Sequence, residues 1–256
     1  MDSKEKPKQI RLRFYNIVIH PASKHKSHFY IDLYEKLFRQ AKTYDTGGGK
    51  RTKMRSFSKG AEMIHGTLIN YTTLDNDNWY NESSDEVVTH ETEPNIYPNA
   101  KEWDFFFYPE KHRMAVVIKQ GISWSQFENY FSKAFADACD ALGYDEVKLT
   151  QETSQEGIDE IFALETIESL EVEISYSNND INDITAAAID EEFKKSNVSS
   201  IKTKVTGVKG NPLTLLADKY LGSLVKLSKH NGYAKATGKV GHRVKIVNTK
   251  NYPKVS

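Results

Sequence analysis

The chain has 256 residues, 38% of them hydrophobic and 27% charged, with 35 Lys+Arg balanced by 35 Asp+Glu. That length supports a sizeable core, and the composition is that of a well-solvated chain. No run approaches the roughly 20 apolar residues of a membrane span, the opening MDSKEKPKQ has no apolar secretory core, and a lone Cys139 cannot close an internal disulfide, so a reducing cytoplasm and no membrane are the expected setting.

Residues 10–20 (IRLRFYNIVIH) are rich in β-formers and predict a strand that ends at Pro21. Ser27 is placed to cap a helix over about 28–42, where Tyr30, Tyr34, Leu37, Phe38 and Ala41 recur at helical spacing. The stretch TYDTGGGKRTKMRSF, residues 43–57, follows as a flexible basic loop. Residues 61–72 predict a strand, and the polar, acidic run from 73 to 101 a long loop. WDFFFY and RMAVVIK around Pro109-Glu110-Lys111 read as a hairpin. Ser123 and Gln126 have capping-box spacing ahead of a helix with Phe127, Phe131, Phe135 and Leu142 on one face, stopped by Gly143. Residues 146–151 predict a strand and 154–164 a short helix or linker.

A second pattern follows, in the order βαβαββ. Residues 169–176 (SLEVEISY) alternate cleanly, Asn178-Asn179-Asp180 turns into a helix near 181–195, and 198–207 form the next strand. Pro212 is expected to open an amphipathic helix carrying Leu213, Leu216, Ala217, Tyr220, Leu221 and Leu224, with a hairpin over about 233–248. These elements predict a mixed α/β, or α+β, chain: β-sheets packed by amphipathic helices, in an N-terminal part over 1–150 and a C-terminal part over 165–256.

The zero net charge hides a segregation. Residues 1–60 carry 15 Lys+Arg and 5 Asp+Glu, residues 61–195 carry 8 and 29, and residues 196–256 carry 12 and 1. Two basic ends around an acidic middle suggest a local nucleic-acid site, against the plainer reading that the ends neutralise the middle. Lys50, Arg51, Lys53 and Arg55 beside three glycines fit an anion. They do not make a phosphate-binding Walker loop, because position 44 is Tyr44 and Gly49-Lys50 is followed by Arg51. A flexible basic loop can still follow a nucleic-acid backbone.

Lys202 and Lys204 alternate with Ile201, Thr203 and Val205. Lys235 and Lys239 alternate with Ala234, Ala236 and Gly238, and Arg243 and Lys245 with Val244 and Ile246. A two-residue turn at Val240-Gly241 would set the last two basic sets on opposite faces. A three-residue loop from Val240 to His242 would pair Lys239 with Arg243 and gather all four on one face. The second register is expected, because it also buries the apolar set. Glu171 and Glu173 are placed to pair with Lys202 and Lys204, at about 0.2–1 kcal/mol per pair.

For catalysis the candidate is Glu146-Val147-Lys148 with Asp104, since two carboxylates and a lysine on neighbouring strands form many nuclease metal sites. A solvated edge strand is the stronger reading. His20, His25 and His28 fit no zinc spacing, so no metal or cofactor is expected.

The segments IRLRFYNIVIHP, WDFFFYPEKHRMAVVI, ESLEVEISYSNND, NGYAKATG and VNTKNYP resemble a family of uncharacterised bacterial proteins carried by prophages and mobile defence regions. The layout is similar, more distantly, to the phage-exclusion protein RexA. The resemblance implies phage defence by abortive infection and a homodimer with a basic, DNA-facing surface, and it supplies no site residues. The expectation is therefore a sequence-nonspecific, non-catalytic nucleic-acid-binding protein, taking DNA in preference to RNA. The alternatives are a metal-dependent nuclease using Glu146 and Lys148, and an interaction subunit that meets a partner protein from its operon.

Overall fold

The computed structural model describes residues 10–24, 26–74, 78–175, 184–196, 198–216 and 219–256. The expected turn at 178–180, the start of the helix after it, His25 and Ala217 lie outside them. In chain order the first half runs β1 (Leu12–His20), α1 (Ser27–Gln40), β2 (Tyr44–Gly47), β3 (Lys50–Lys59), β4 (Ile64–Thr72), β5 (Trp79–Asn81), β6 (Glu86–Val88), β7 (Lys101–Tyr108), β8 (Arg113–Val117), α2 (Trp124–Leu142) and β9 (Glu146–Gln151). The second half adds α3 (Gln155–Phe162), β10 (Thr166–Ser175), α4 (Ile184–Lys195), β11 (Ser200–Thr206), α5 (Tyr220–Asn231), β12 (Gly232–Val240) and β13 (Arg243–Asn248). The fold is α+β, with three antiparallel sheets.

The first sheet has seven strands in the order β2-β3-β4-β7-β8-β1-β9 and curls into a half-barrel. Tyr15, Ile17 and Ile19 of β1, Trp103, Phe105 and Phe107 of β7, and Met114 and Val116 of β8 alternate toward α1 and α2. Tyr34 sits at the centre, its ring 5.1 Å from Phe107, 5.6 Å from Phe105 and 6.4 Å from both Phe131 and Phe135. The aromatic stripe of α2 is therefore core. Gly66 of β4 is a glycine because Phe105 fills the space beside it: a Cβ there would lie 2.2 Å from the ring's Cζ. Gly66→Ala is expected to cost about 2 kcal/mol by overpacking, read as a lower urea midpoint at unchanged slope.

The second sheet runs β11-β10-β12-β13. Leu170, Val172 and Ile174 of β10, with Ala234 and Ala236 of β12, pack on Leu224, Val225 and Leu227 of α5 and on Ile158 and Ile161 of α3. Pro212 does not open a helix. The Leu213 amide donates to the Ile167 carbonyl at 2.7 Å, holding that segment extended, and α5 begins only at Tyr220. The leucine spacing is therefore shared between an extended segment and a helix.

The two halves are stitched by the chain's end. Leu12 and Ser256 exchange backbone hydrogen bonds of 3.2 and 3.1 Å, and the Thr153 amide donates to the Lys229 carbonyl at 2.8 Å. Asn16 and Asn231 hydrogen-bond in the interior. This explains why Asn16, Val18 and His20, on the side of β1 away from α2, are also buried.

Candidate nucleic-acid interface

The glycines at 47–49 form a tight turn, correcting the expected flexible loop. Gly47 pairs with Lys50, and Gly48 and Gly49 between them have φ of 64° and 66°. Two successive positive φ values make the mirror-image turn that matches strand twist, which glycine adopts without steric cost. The hairpin is pinned from α2: Gln126 donates to the Gly47 carbonyl at 3.0 Å, Asn129 to Thr46 at 3.2 Å and Lys133 to Asp45 at 2.6 Å.

The predicted basic residues thus stand on strand β3. Thr52 and Met54 turn into the core, and Arg51 and Lys53 turn away from it, opposite Tyr71 and Ile69 of β4. Among the described residues neither cation makes an ion pair or side-chain hydrogen bond. Lys50, at the strand's start, donates to the Thr72 hydroxyl at 2.7 Å. A bulge between Met54 and Ser56 re-aims Arg55, which pairs with Glu102.

Two ring pairs share this open face. Tyr71 stacks on Tyr97 at 4.8 Å, and His65 stacks on its cross-strand partner Phe106 at 4.8 Å. Asp104 lies on the same face, bonded by Lys119 and by the Thr67 hydroxyl at 3.0 Å. Partial burial raises its pKa, but the Lys119 and Thr67 bonds outweigh this and hold the carboxyl below its usual range. Glu102 and Asp104 are therefore committed to Arg55 and Lys119, while Asp45 of β2, which accepts from the Gly47 amide, stands across the strand pair from Arg51 without forming an ion pair with it.

The second sheet behaves differently. Lys202 lies 3.2 Å from Glu171 and 3.7 Å from Glu173, Lys239 lies 3.0 Å from Glu168, and Lys245 pairs with Glu160. Among the described residues Lys204, Lys235 and Arg243 make no ion pair. The hairpin register differs from the expected one. The turn is Gly241-His242, pairing Val240 with Arg243 and Lys239 with Val244. Lys235 and Lys239 then share a face with Val244 and Ile246, while Arg243 and Lys245 take the opposite face. Glu160 of α3 supplies the partner that makes a lysine on that side tolerable. The four charges do not converge, and the two sheets share no strand, so the basic groups form two separate fields.

Glu146 and Lys148 pair with each other at 3.2 Å on β9. Asp104 is three strands away, beside Phe105, which lies across β8 at the level of Arg13. Glu146 is opposite His20 at the other end of β1. Seven residues of strand separate those levels by about 23 Å, so the two carboxylates cannot share a metal. Among the described residues no group of three or more His, Cys, Asp or Glu is arranged to hold one.

Sequence reasoning missed one charged cluster. Glu152, only 1% exposed, is bonded by Arg113 and by Lys254 at 3.0 Å, with His230 at 3.9 Å. Burial raises its pKa, but the nearby His230, the Arg113 bond and the charges of Arg113 and Lys254 outweigh it and set the pKa at about 2. Its partners come from β8, α5 and the C-terminal tail, so no local spacing announces it.

No helix among the described residues is long and apolar enough to cross a membrane. Residues 8–256 match a family described as a domain of unknown function, DUF4747, and the chain belongs to that family. A comparison with curated proteins found no match.

Proposed function

We propose that this chain binds nucleic acid through the phosphate backbone, without reading base sequence, as a non-catalytic component of phage defence. The observation that carries the binding is the outward row of β3. Among the described residues Arg51 and Lys53, exposed and half-buried, form no ion pair, although Asp45 of β2 stands across the strand pair from Arg51; they lie beside rings and next to the paired carboxylates Glu102 and Asp104. Cations held on a rigid sheet without partners favour phosphate and give no base selectivity. The defence setting rests on the resemblance of the sequence segments given above. DNA is the preferred ligand in this reading, and the chain acts as a homodimer, for which β13 offers an edge with Val244 and Ile246 each 62% exposed. Sedimentation equilibrium giving a monomer at all concentrations would remove the dimer from the proposal.

The test is fluorescence anisotropy with several labelled 30-mers of unrelated sequence. Binding of all of them within about threefold is expected. Lys202→Gln should leave it nearly unchanged, because Lys202 is already paired with Glu171. No binding at 50 mM salt, or strong preference for one sequence, overturns the proposal.

A further inference from the structure

The outward face of the first sheet is covered at one end only. On β1 it is buried at Asn16, Val18 and His20. Farther along the sheet α1 and α2 pack on the opposite side, and Arg51, Lys53, His65, Ile69, Tyr71 and Phe106 stay exposed or half-buried.

The outward residues of β4 alternate as His65, Thr67, Ile69 and Tyr71. The first and last belong to the two ring pairs. The planes of His65 and Phe106 are 19° apart, and those of Tyr71 and Tyr97 are 21° apart. Each pair holds one well-exposed ring: the His65 side chain is 40% exposed and Tyr97 is 37% exposed. A near-parallel pair with an exposed member can be lengthened by another flat ring in offset-stacked geometry. Six residues of strand set the two pairs about 20 Å apart. One small aromatic molecule cannot reach both, whereas a chain of linked rings can.

The charges beside this row differ on its two sides. On the β3 side Arg51 stands opposite Tyr71 and Lys53 opposite Ile69, one strand spacing or about 4.8 Å from the ring row. On the β7 side Glu102 stands opposite Ile69 and Asp104 opposite Thr67. Those carboxylates are paired with Arg55 and Lys119, and Asp45 lies beyond Arg51 on β2. A linear polyanion is thus drawn to β3, with β4 beside it to receive its rings. A duplex cannot use both features, because its bases are already stacked within it. A single strand can, with its backbone in the basic row and its bases on the rings.

We propose that the face formed by β3, β4 and β7 is a single-strand site, in which phosphates follow Arg51 and Lys53 and unpaired bases stack on the His65–Phe106 and Tyr71–Tyr97 pairs. The proposal rests on the nucleic-acid reading above and names its ligand as single-stranded DNA in preference to duplex. Every base has a flat face, so stacking keeps the site blind to sequence.

The test is fluorescence anisotropy at 150 mM salt with three labelled ligands: a thymidine 15-mer, a strand of the same length and charge with abasic sugars, and a duplex of 15 base pairs. The thymidine strand is expected to bind at least tenfold more tightly than either of the others. His65→Ala and Tyr97→Ala should each weaken it about tenfold, as loss of one stacked base does, and should change abasic binding less than twofold. His65→Phe keeps a ring and should keep the affinity, which separates stacking from the charge of the imidazole. Both side chains are partly exposed, and an unchanged Tm for each variant shows that the fold is intact. The proposal is overturned if the abasic strand or the duplex binds as tightly as the thymidine strand, or if either alanine variant keeps wild-type affinity. Backbone binding survives that result. It fails, and this proposal with it, only if all three ligands stay unbound at 50 mM salt.

Discussion

Glu152→Gln is expected to destabilise the fold by about 3 kcal/mol, the size typical of breaking a buried ion pair from one side. The carboxylate is buried beneath Arg113, His230 and Lys254. Glutamine keeps the shape and removes the charge, leaving the partly exposed Arg113 and Lys254 without their buried counter-ion. For a chain of this size that loss lowers Tm by about 6–12 °C. The same carboxylate makes stability depend on pH. Its folded pKa of about 2 lies below the ordinary 4.5, so the native state binds fewer protons than the unfolded one. The stabilisation is complete above about pH 4.5 and drains away as pH falls toward 2. A shift of that size corresponds to about 3 kcal/mol, which agrees with the expected mutational loss. Urea melts from pH 7 to pH 2.5 should show wild-type stability falling more steeply than that of Glu152→Gln below pH 4.5. Parallel curves would mean that Glu152 is not the coupling group. Because its partners come from β8, α5 and the C-terminal tail, the variant should also loosen the tail first, read as faster amide exchange at Lys254 and Ser256.

The elements most legible in sequence are those whose signal is local. The strand at β1, the hairpin of β7 and β8, the long helix ending at Gly143 and the alternating strand of β10 all follow from periodicity of two or 3.6 with a turn or glycine at the boundary. The misreadings have a shared cause: a partner distant in sequence decided them. Three glycines before a basic run predict a mobile loop, yet α2 supplies three side chains that fix the turn, and the following residues acquire β4 as a neighbour. Leucines after Pro212 predict a helix, yet Ile167 captures the Leu213 amide. Burying apolar residues predicts the other hairpin register, but Val244 and Ile246 remain exposed and α3 gives Lys245 a partner on the other side. The site is less legible still. Ten cations look alike in sequence, and only the fold separates those that meet a carboxylate (Arg55, Lys202, Lys239 and Lys245) from those that do not. Charge runs fix where cations are along the chain. Pairing across strands fixes which remain available.

That distinction sharpens the last expectation. Affinity for a 30-mer duplex should fall by about a thousandfold between 50 and 200 mM salt, as for a protein neutralising about six phosphates. The contribution of each side chain should follow its freedom from carboxylates rather than its charge alone. Lys50→Gln, Arg51→Gln and Lys53→Gln together should lower the slope of log affinity against log salt by about 3, close to one unit per phosphate contact. Arg55→Gln should add little, because Glu102 already neutralises it and exposed pairs are worth at most about 1 kcal/mol. None of these changes enters the core, where Thr52 and Met54 hold the strand, so Tm should stay within about 2 °C. Removing the rings is a separate axis. Phe106→Ala should weaken single-stranded ligands more than duplex, since a base can stack on an open ring only when it is unpaired. If the triple variant keeps the wild-type slope, β3 is a solvated edge face and the cations at Lys204, Lys235 and Arg243 become the ones to examine. If affinity is flat with salt in the wild type, no phosphate contact is being made and the whole basic face is structural.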